Sequence, residues 1–557
     1  MELRWSKFQF ELPKLSAQDI VAGLSIAGLL LPEAVAYSSI GNLPPQAGVL
    51  ALFAGLLCYG LLGSSRFAIV SATSSSAAVM AAATASLSTD PQHRMALAFG
   101  LIVLSGIFFV LASLAKIGSI SEFIAKPVLR GFAFALALTI TIKQLAKIVD
   151  VHSAETNFIY YVGDIFTQLT SWNSSGILVA AIALVLLFSL AHFPKIPGGL
   201  ITIAIGIVAG KYLPLEHYGV HLVGNMQLQL PTPGIPVLAQ TEWTRLGELS
   251  LAMVMILYAE SYSSIRTYAL KHGDQTKVNR DLFAFGISNI VSGLFHGMPV
   301  GAGYSATSAN EAAGAQSKLA GWCAALTVLV MVWYFLPLIE LIPEPVLAAI
   351  VIHAVSHSLS LYAFKPYMVW RSDVIVVLVA IAGVIVLGVL DGLLSAIAIS
   401  IALMLRRIAT ASVSVLGRLG KSHDFISMQK HPEARSIPGV IIFRPESPMF
   451  FANAERITTE IRNAITTADE TIHSFVISLE ESYDLDSSSL QALADLSNLV
   501  ADQHRQLFFA RLKDHIQDIL DKGVMLGLMP PYSSGFSVDD TVAMAIANTN
   551  ITPTNPN

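Results

Sequence analysis

Long apolar runs are the feature that most limits what this chain can fold into. They recur through the first four hundred residues, for example at 17–38, 48–62, 96–116 and 177–191. Of the 557 residues, 54% are hydrophobic and 13% are charged, against roughly 25% charged in soluble domains. Because a membrane-crossing helix needs about 20 apolar residues, the pattern predicts an all-α polytopic membrane domain of about fourteen segments.

The composition changes twice along the chain. Residues 217–244 are rich in Pro, Gly and Gln and separate two apolar halves. After about residue 417, short strand-like runs alternate with amphipathic stretches, which is typical of an α/β domain. Arg4, Lys7 and Lys14 precede the first span and favour a cytoplasmic N-terminus. The predicted parts are a cytoplasmic leader (1–16), a membrane domain (17–412), a linker (413–436), an α/β domain (437–545) and a disordered tail (546–557).

Two stretches interrupt the apolar pattern, one in each half. Residues 64–83 and 297–314 each begin with a short extended piece and continue into small and hydroxylated residues that can start a helix. Irregular backbone within a membrane is tolerated only where protein or a water-filled cavity surrounds it. Interruptions at matching places in two halves indicate the binding site of a secondary transporter. The alternative is that these Ser and Thr residues only allow close helix packing.

Other chemistries find little support in the sequence. The two cysteines, Cys58 and Cys323, lie inside apolar runs and suggest buried small side chains rather than a disulfide or metal framework. No basic tract indicates nucleic-acid binding, and no Walker pattern indicates ATP hydrolysis. We therefore expect a non-enzymatic protein without a cofactor, driven by an ion gradient, with H⁺ or Na⁺ as the only additional ligand.

Several motifs resemble the SulP anion transporters, the family of sulfate permeases and of bicarbonate and dicarboxylate carriers. They are Asp-Ile-Val-Ala-Gly at 19–23, Leu-Pro-Glu-Ala-Val-Ala-Tyr at 31–37, Asn-Leu-Pro-Pro-Gln-Ala-Gly at 42–48, 124–132, Glu260 and 289–301. The C-terminal part resembles a STAS domain, and the resemblance extends over about 15–545. It implies two inverted seven-segment repeats arranged as core and gate domains, elevator-type alternating access, and a homodimer formed through the STAS domain.

The resemblance also implies where the anion binds, between the N-termini of the third and tenth segments. A helix N-terminus carries unsatisfied N–H groups and about half a positive charge, so two of them form an anion site without a formal cation. The implied substrate-binding residues are Glu33, Tyr37, Ser71, Ala72, Thr73, Ser74, Tyr304, Ser305, Ala306 and Thr307.

The chain departs from the family pattern at three places in this site. Ala306 stands where many members have Arg, Glu33 where many have Gln, and Ser71 with Ala72 where many have Gly-Pro. Two carboxylates, Glu33 and Glu260, beside an anion repel it unless one is protonated or paired with a cation. We therefore predict ion coupling through Glu33, Glu260 and Ser264. The alternative for Glu33 is an ordinary carboxylate in a cytoplasmic vestibule.

Two further groups of residues allow more than one interpretation. His353 and His357 share a helix face, and we favour structural packing over a metal site or a proton relay. Ser488 matches the phosphorylated serine of STAS domains, but Asp and Ser are also ordinary helix N-caps, and we favour the cap.

The sequence thus predicts a secondary active anion transporter of the sulfate, bicarbonate or dicarboxylate class that is coupled to H⁺ or Na⁺. Its expected substrate is a small inorganic or carboxylate anion, and the protein is expected to lie in a lipid bilayer. Both termini are expected in the cytoplasm, and a bacterial inner membrane is favoured. The alternatives are an uncoupled anion channel, or a membrane-anchored anion sensor that signals through the STAS domain.

Overall fold

The computed structural model describes residues 16–118, 125–151, 153, 157–192, 198–223, 231–410 and 412–549. These residues form two compact units that divide after Ser400. Most of the predicted leader (1–15) lies outside the described residues, as do the end of the predicted tail (550–557) and the first residue of the motif at 124–132.

The first unit is helical, and its described part contains fourteen α-helices, the first half of a fifteenth and two short strands. Six of its helical stretches are long and apolar enough to cross a membrane by length and composition. The elements are α1 (Ala17–Ile40), α2 (Pro45–Leu62), β1 (Val70–Ala72), α3 (Ser74–Ala85), α4 (Pro91–Leu114), α5 (Lys126–Ile148), α6 (Phe158–Thr167), α7 (Ser174–Leu190), α8 (Gly198–Tyr212), α9 (Gln240–His272), α10 (Val278–Leu294), β2 (Val300–Ala302), α11 (Tyr304–Ala312), α12 (Leu319–Ile339), α13 (Glu344–Ser356), α14 (Arg371–Leu387) and α15 (Val389–Ala409).

The order of these elements repeats. Helices α1 and α2 are followed by β1 and the short α3, and helices α9 and α10 are followed by β2 and the short α11. The two strands pair antiparallel, as an inverted repeat requires. The exposed α6 has no counterpart in the second half, and without it each half contains seven segments. The predicted fourteen-segment inverted repeat is confirmed.

The helices pack in two groups. Helix α10 packs against α4 and α2, α4 against α9, and α1 against α12 and α2. Helix α5 packs against α14 and α13, and α13 packs against α7. The first group contains both short strands and both short helices, and it corresponds to the expected core domain. The second group corresponds to the gate domain.

Buried carboxylates join loops to helices at one end of the core group. Asp19 completes the capping box of α1 with Ser16 and also accepts hydrogen bonds from the backbone N–H groups of Gln316 and Ser317, both at 2.8 Å. Asp281, at the start of α10, accepts the backbone N–H and the hydroxyl of Ser64, both at 2.7 Å. These contacts fix the segment that leads into β1 and the one that leads into α12.

The second unit is an α/β domain, as predicted. Its sheet has the strand order β4-β3-β6-β7-β8-β9, with β5 paired to β3. Strands β6 to β9 run parallel, and β3 joins them antiparallel. The elements are β3 (Val413–Leu419), β4 (Phe425–Ser427), β5 (Ala434–Arg435), β6 (Val440–Pro445), α16 (Ala454–Thr466), β7 (Ser474–Ser478), α17 (Ser487–Asp502), β8 (Gln506–Ala510), α18 (Asp514–Met525), β9 (Ser533–Gly535) and α19 (Val538–Thr549).

Two predicted segments differ from this description. Residues 413–436, expected to be a linker, contain three strands of the sheet. Their side chains are mostly partly exposed, so they lack the continuous apolar signal that identified β6 and β7. The predicted tail begins inside α19, which continues to Thr549.

Candidate anion-binding site

The strands β1 and β2 bring two helix N-termini together. Ser71 pairs with Gly301, Val70 with Ala302 and Ala72 with Val300, and all six residues are buried. Helix α3 begins two residues after β1, and α11 begins two residues after β2. A methyl group added at Gly303 would lie 3.2 Å from Cγ2 of Thr73, so the residues that cap the two helices lie side by side.

The outer edge of β2 is satisfied by side chains rather than by a third strand. Asn289 of α10 donates to the carbonyl of Val300 at 2.9 Å and accepts from its N–H at 3.0 Å. The hydroxyl of Ser261 on α9 accepts from the N–H of Ala302 at 2.9 Å. Unpaired backbone groups within a membrane cost several kcal/mol each, so these side chains allow a two-stranded sheet to exist there.

The two helix starts differ in how their N–H groups are satisfied. Thr73 caps α3 and accepts the N–H of Ser76 at 3.1 Å, while the hydroxyl of Ser76 accepts the N–H of Thr73. The N-cap of α11 is Gly303, which has no side chain to accept a hydrogen bond. The first N–H groups of α11 therefore lack a side-chain acceptor from their own cap, which makes this helix end suitable for an anion.

Glu260 of α9 lies at the start of α3. It accepts a hydrogen bond from the hydroxyl of Ser75 and a longer one, 3.4 Å, from the hydroxyl of Thr73. Ser264 follows one helical turn later, and its buried hydroxyl has no hydrogen-bond partner among the described residues. A carboxylate and a free hydroxyl oxygen one turn apart offer hard oxygen ligands of the kind that small cations prefer.

Glu33 and Tyr37 are one turn apart on α1, and both are buried, with 6% and 5% of their surface exposed. Tyr37 lies near enough to Glu33 and Glu260 for both carboxylates to act on its hydroxyl electrostatically. Within the described residues, Glu33 takes part in neither a hydrogen bond nor an ion pair. Of the two candidate coupling carboxylates, Glu260 contacts the start of α3 directly, and ion coupling through Glu33 and Glu260 stays a prediction.

The predicted hydroxyl residues fall into two kinds. Thr307 accepts the N–H of Ile69 at 3.3 Å, and the hydroxyl of Ser71 lies 3.3 Å from the carbonyl of Ala72. These two side chains therefore already have backbone partners. Ser74 and Ser305 lie in the first turn of their helices and are partly exposed, so they are the hydroxyls with room for a ligand.

The remaining predicted residues occupy two different surroundings. Tyr304 is half exposed, and its ring lies 5.6 Å from that of Tyr268. Ala306 is buried in an apolar cluster that includes Leu30 and Leu31 of α1. The position where the family resemblance led us to expect Arg thus belongs to an apolar cluster that also contains residues of the helix that carries Glu33.

Sequence reasoning missed the residues that hold the strands. Asn289, Ser261 and Ser76 are buried and bind backbone groups that lie 11, 41 and 223 residues away in the chain. A polar side chain inside an apolar run was the available signal, but such a residue is equally compatible with a helix–helix hydrogen bond. Only the contact from Ser76 to Pro299 joins the two halves, whereas Asn289 and Ser261 bind backbone groups within the second half. In each case the backbone partner becomes visible only in the folded structure.

His353 and Ser488 lie outside this site. The ring of His353 on α13 packs against Phe188 at 5.0 Å, and no group of three metal-ligating side chains occurs in the part of the chain that the structure describes. Ser488 is exposed in the first turn of α17, whose N-cap is Asp486. Asp486 accepts the N–H of Ser489 at 2.8 Å, and phosphorylation of Ser488 stays a prediction.

The fold and the candidate site together define a polytopic membrane protein in which a buried strand pair holds two helix N-termini side by side. The model of the sulfate permease family matches residues 17–383, and that of the STAS domain matches residues 431–542. A probable sulfate transporter of Mycobacterium tuberculosis (strain CDC 1551 / Oshkosh) is 30% identical over 514 residues, which cover 91% of each chain. This chain therefore belongs to the sulfate permease family and carries a C-terminal STAS domain.

Solved structures share the fold. The murine solute carrier 26 family member A9 anion transporter, in its inward-facing state, has a TM-score of 0.90 at 21% identity and covers 96% of this chain and 93% of its own. The transmembrane domain of a cyanobacterial bicarbonate transporter, BicA, has a TM-score of 0.61 at 23% identity and covers 68% of this chain and 96% of its own. The relatives are transporters, in agreement with the expectation that this protein is not an enzyme.

Proposed function

We propose that this protein is a secondary active transporter of a small anion of the sulfate, bicarbonate or dicarboxylate class. The observation that carries the proposal is the strand pair β1–β2, which holds the N-termini of α3 and α11 side by side in a buried region. Two helix N-termini supply N–H donors and positive potential without a formal cation. Ser74 and Ser305 are the hydroxyl donors that we assign to the anion.

We further propose that H⁺ or Na⁺ accompanies the anion. Glu33 and Glu260 form no ion pair among the described residues, and both lie beside the proposed site. Two unit charges about 5 Å apart at an effective dielectric constant of about 20 repel each other by about 3 kcal/mol, which weakens binding more than 100-fold. A proton or a sodium ion at Glu260, with the hydroxyl oxygen of Ser264 as an additional ligand, would remove this repulsion.

The experiment is uptake of labelled sulfate, bicarbonate and succinate into proteoliposomes, at two pH values and with and without sodium. The wild-type protein is expected to transport one class of anion with a clear dependence on one cation. Glu260→Gln is expected to keep measurable anion binding and to lose the cation dependence, whereas Ser288→Ala serves as a buried control outside the site.

Three outcomes would count against parts of the proposal. If no anion of the panel is taken up, the assignment of substrate class is wrong. If Glu33→Gln and Glu260→Gln both keep the full cation dependence, the coupling residues are wrong. A flux that does not saturate with anion concentration favours an uncoupled channel.

We propose elevator-type movement because the strand pair ties both helix starts into one body. The N–H and carbonyl of Val300 and the N–H of Ala302 point away from β1, because they bind Asn289 and Ser261. Val70 and Ala302 therefore form a non-hydrogen-bonded pair, and the Cα atoms of such a pair lie about 4.5 Å apart. Cysteines at Val70 and Ala302, with Cys58 and Cys323 replaced, are within reach of a disulfide. Transport that survives this cross-link supports movement of the site as one body, and transport lost on oxidation and restored on reduction contradicts it.

The orientation and the assembly are also proposals. Basic residues concentrate at the membrane side where α1 begins, among them Lys116, Lys277 and Lys318, which supports cytoplasmic termini and suits a bacterial inner membrane. We expect a homodimer through the STAS domain. Comparing the oligomeric mass of the full chain with that of a chain ending after Ala409, the last residue of α15, tests this. Uptake by the shortened chain distinguishes a transporter from a sensor that acts through its STAS domain.

A further inference from the structure

The connection between α13 and α14 exposes an unusual amount of apolar surface. It consists of two short 3₁₀ turns, His357–Leu359 and Leu361–Phe364, followed by a turn that leads to α14. Five large apolar side chains in it are 61–79% exposed: Leu361, Tyr362, Met368, Val369 and Trp370. Connections between membrane helices are normally polar at this level, whereas Trp and Tyr concentrate where a protein meets the lipid headgroups.

Cationic side chains accompany this apolar surface. Lys365 and Arg371 lie in the segment 357–372, which contains no Asp or Glu. The ammonium of Lys365 lies 5.6 Å from the ring centre of Tyr362. Asp373 follows directly after this segment in the first turn of α14, so the segment and that turn together keep a net positive charge. A surface that combines exposed Trp and Tyr with an excess of cations matches the boundary between acyl chains and anionic headgroups.

Helix α5 supplies a third cation to the same place. Phe364 is almost fully buried and packs edge-on against Phe134 at 5.4 Å, while the guanidinium of Arg130 lies 5.7 Å from the centre of its ring. Arg130 donates to the carbonyl of Ser360 at 3.3 Å, but its buried Nε has no partner among the described residues. Part of this guanidinium is therefore still available to an acceptor.

The segment faces the side of the membrane on which α1 begins. The end of α4 contacts Asn279 at the start of α10, and Ser64 contacts Asp281 in that same first turn, so these ends share one side. Helix α5 starts on that side, directly after α4, and Arg130 near its start contacts the segment. By the charge distribution given above this is the cytoplasmic side, where anionic lipids concentrate.

We propose that Arg130, Lys365 and Arg371 bind the phosphate of an anionic phospholipid in the cytoplasmic leaflet, while Trp370 and its apolar neighbours insert among the acyl chains. A guanidinium presents N–H groups in a fork that fits phosphate oxygens. The exposed apolar residues around the cations favour a lipid over a soluble anion, because a soluble anion offers nothing to cover them. The lipid would bridge α5 to the α13–α14 connection within the gate group.

The test uses the full-length protein in nanodiscs and the fluorescence of Trp370. Quenching by brominated phosphatidylglycerol is compared with quenching by brominated phosphatidylcholine at equal mole fraction, and the signal of Trp370→Phe is subtracted. Phosphatidylglycerol is expected to quench Trp370 several times more strongly. Each of Arg130→Gln, Lys365→Gln and Arg371→Gln is expected to reduce that preference roughly fivefold.

The matched control is Lys211→Gln, since Lys211 also lies over an exposed tyrosine ring, that of Tyr212 at 5.5 Å. It should leave the preference unchanged, and millimolar glycerol phosphate should not compete. Equal quenching by both lipids would show interfacial contact without recognition of the phosphate and would overturn the proposal. Absence of lipid quenching would show that protein covers the segment, which also overturns it. Size-exclusion profiles equal to wild type establish that the variants are folded.

Discussion

The side chain of Asn289 offers the most direct test of how the strand pair is held. It is fully buried and makes three hydrogen bonds: to the carbonyl of Phe285, to the carbonyl of Val300 and from the N–H of Val300. Asn289→Ala removes the partners of both backbone groups of Val300 at once. No other described side chain binds either group.

The magnitude follows from these contacts. A buried backbone group left without a partner costs about 1–3 kcal/mol, so two of them give a loss of roughly 2–6 kcal/mol. With about 2 °C per kcal/mol for larger domains, the apparent unfolding temperature should fall by roughly 4–12 °C. Because Val300 precedes the start of α11 by four residues, anion uptake should fall as well.

The assay is the apparent unfolding temperature in detergent, followed by uptake in proteoliposomes. Ser288→Ala is the matched control, since the adjacent Ser288 is equally buried but donates only to the carbonyl of Ala284 within its own helix, at 2.8 Å. It should cost less than about 1 kcal/mol, because that carbonyl keeps its helical hydrogen bond. The reasoning is refuted if Asn289→Ala unfolds within a degree of Ser288→Ala.

Two further changes have calculable outcomes. In Gly55→Ala the new Cβ would lie 2.2 Å from the carbonyl oxygen of Val70, so we expect the free energy of unfolding to fall by about 1–3 kcal/mol and uptake to fall with it. The control is Gly247→Ala, whose new Cβ meets open space and should be neutral or stabilising. Unfolding temperatures of the two variants check this. In the STAS domain, hydrogen bonds from the ring of His423 and from the guanidinium of Arg418 hold the pKa of Asp539 below its usual value, although partial burial raises that pKa. Its ionised form therefore stabilises the start of α19 above the ordinary aspartate pKa, and this stabilisation is lost as pH falls through the lower folded-state pKa. Hydrogen exchange of α19 should accordingly lose protection in acid in the wild type, and Asp539→Asn should lose it already at neutral pH; equal exchange in both would contradict this.

The sequence was most informative where a feature repeats locally. The apolar runs predicted the membrane helices because each run is set by the thickness of the hydrocarbon and needs no partner to be recognised. The interruptions at 64–83 and 297–314 were visible because small and hydroxylated residues are rare in such runs. Both became a strand followed by a short helix, as their residue types indicated.

The sequence was least informative where a contact joins distant residues. Nothing local marks Asn289 as the partner of Val300, or Thr307 as the acceptor for the N–H of Ile69. The oxygen of Thr307 accepts that N–H, which leaves its O–H to donate, so its predicted role as a donor to the anion stays a prediction. The strand β3 was missed for a related reason, because its residues gain their apolar partners only from the antiparallel pairing with β6.

The charges around the two helix starts set a limit on what the proposed transporter can carry. Two helix N-termini contribute about +1 in total, whereas ionised Glu33 and Glu260 contribute −2. An anion entering this region would therefore meet a net negative site, and Ala306 supplies no compensating charge. Neutralising one carboxylate makes the site balanced, and neutralising both leaves about +1, which matches a monoanion such as bicarbonate. A dianion such as sulfate then needs either a further cation or a net charge carried across the membrane, so the ratio of cation to anion, measured together with the dependence of uptake on membrane potential, would identify the substrate class as well as the coupling.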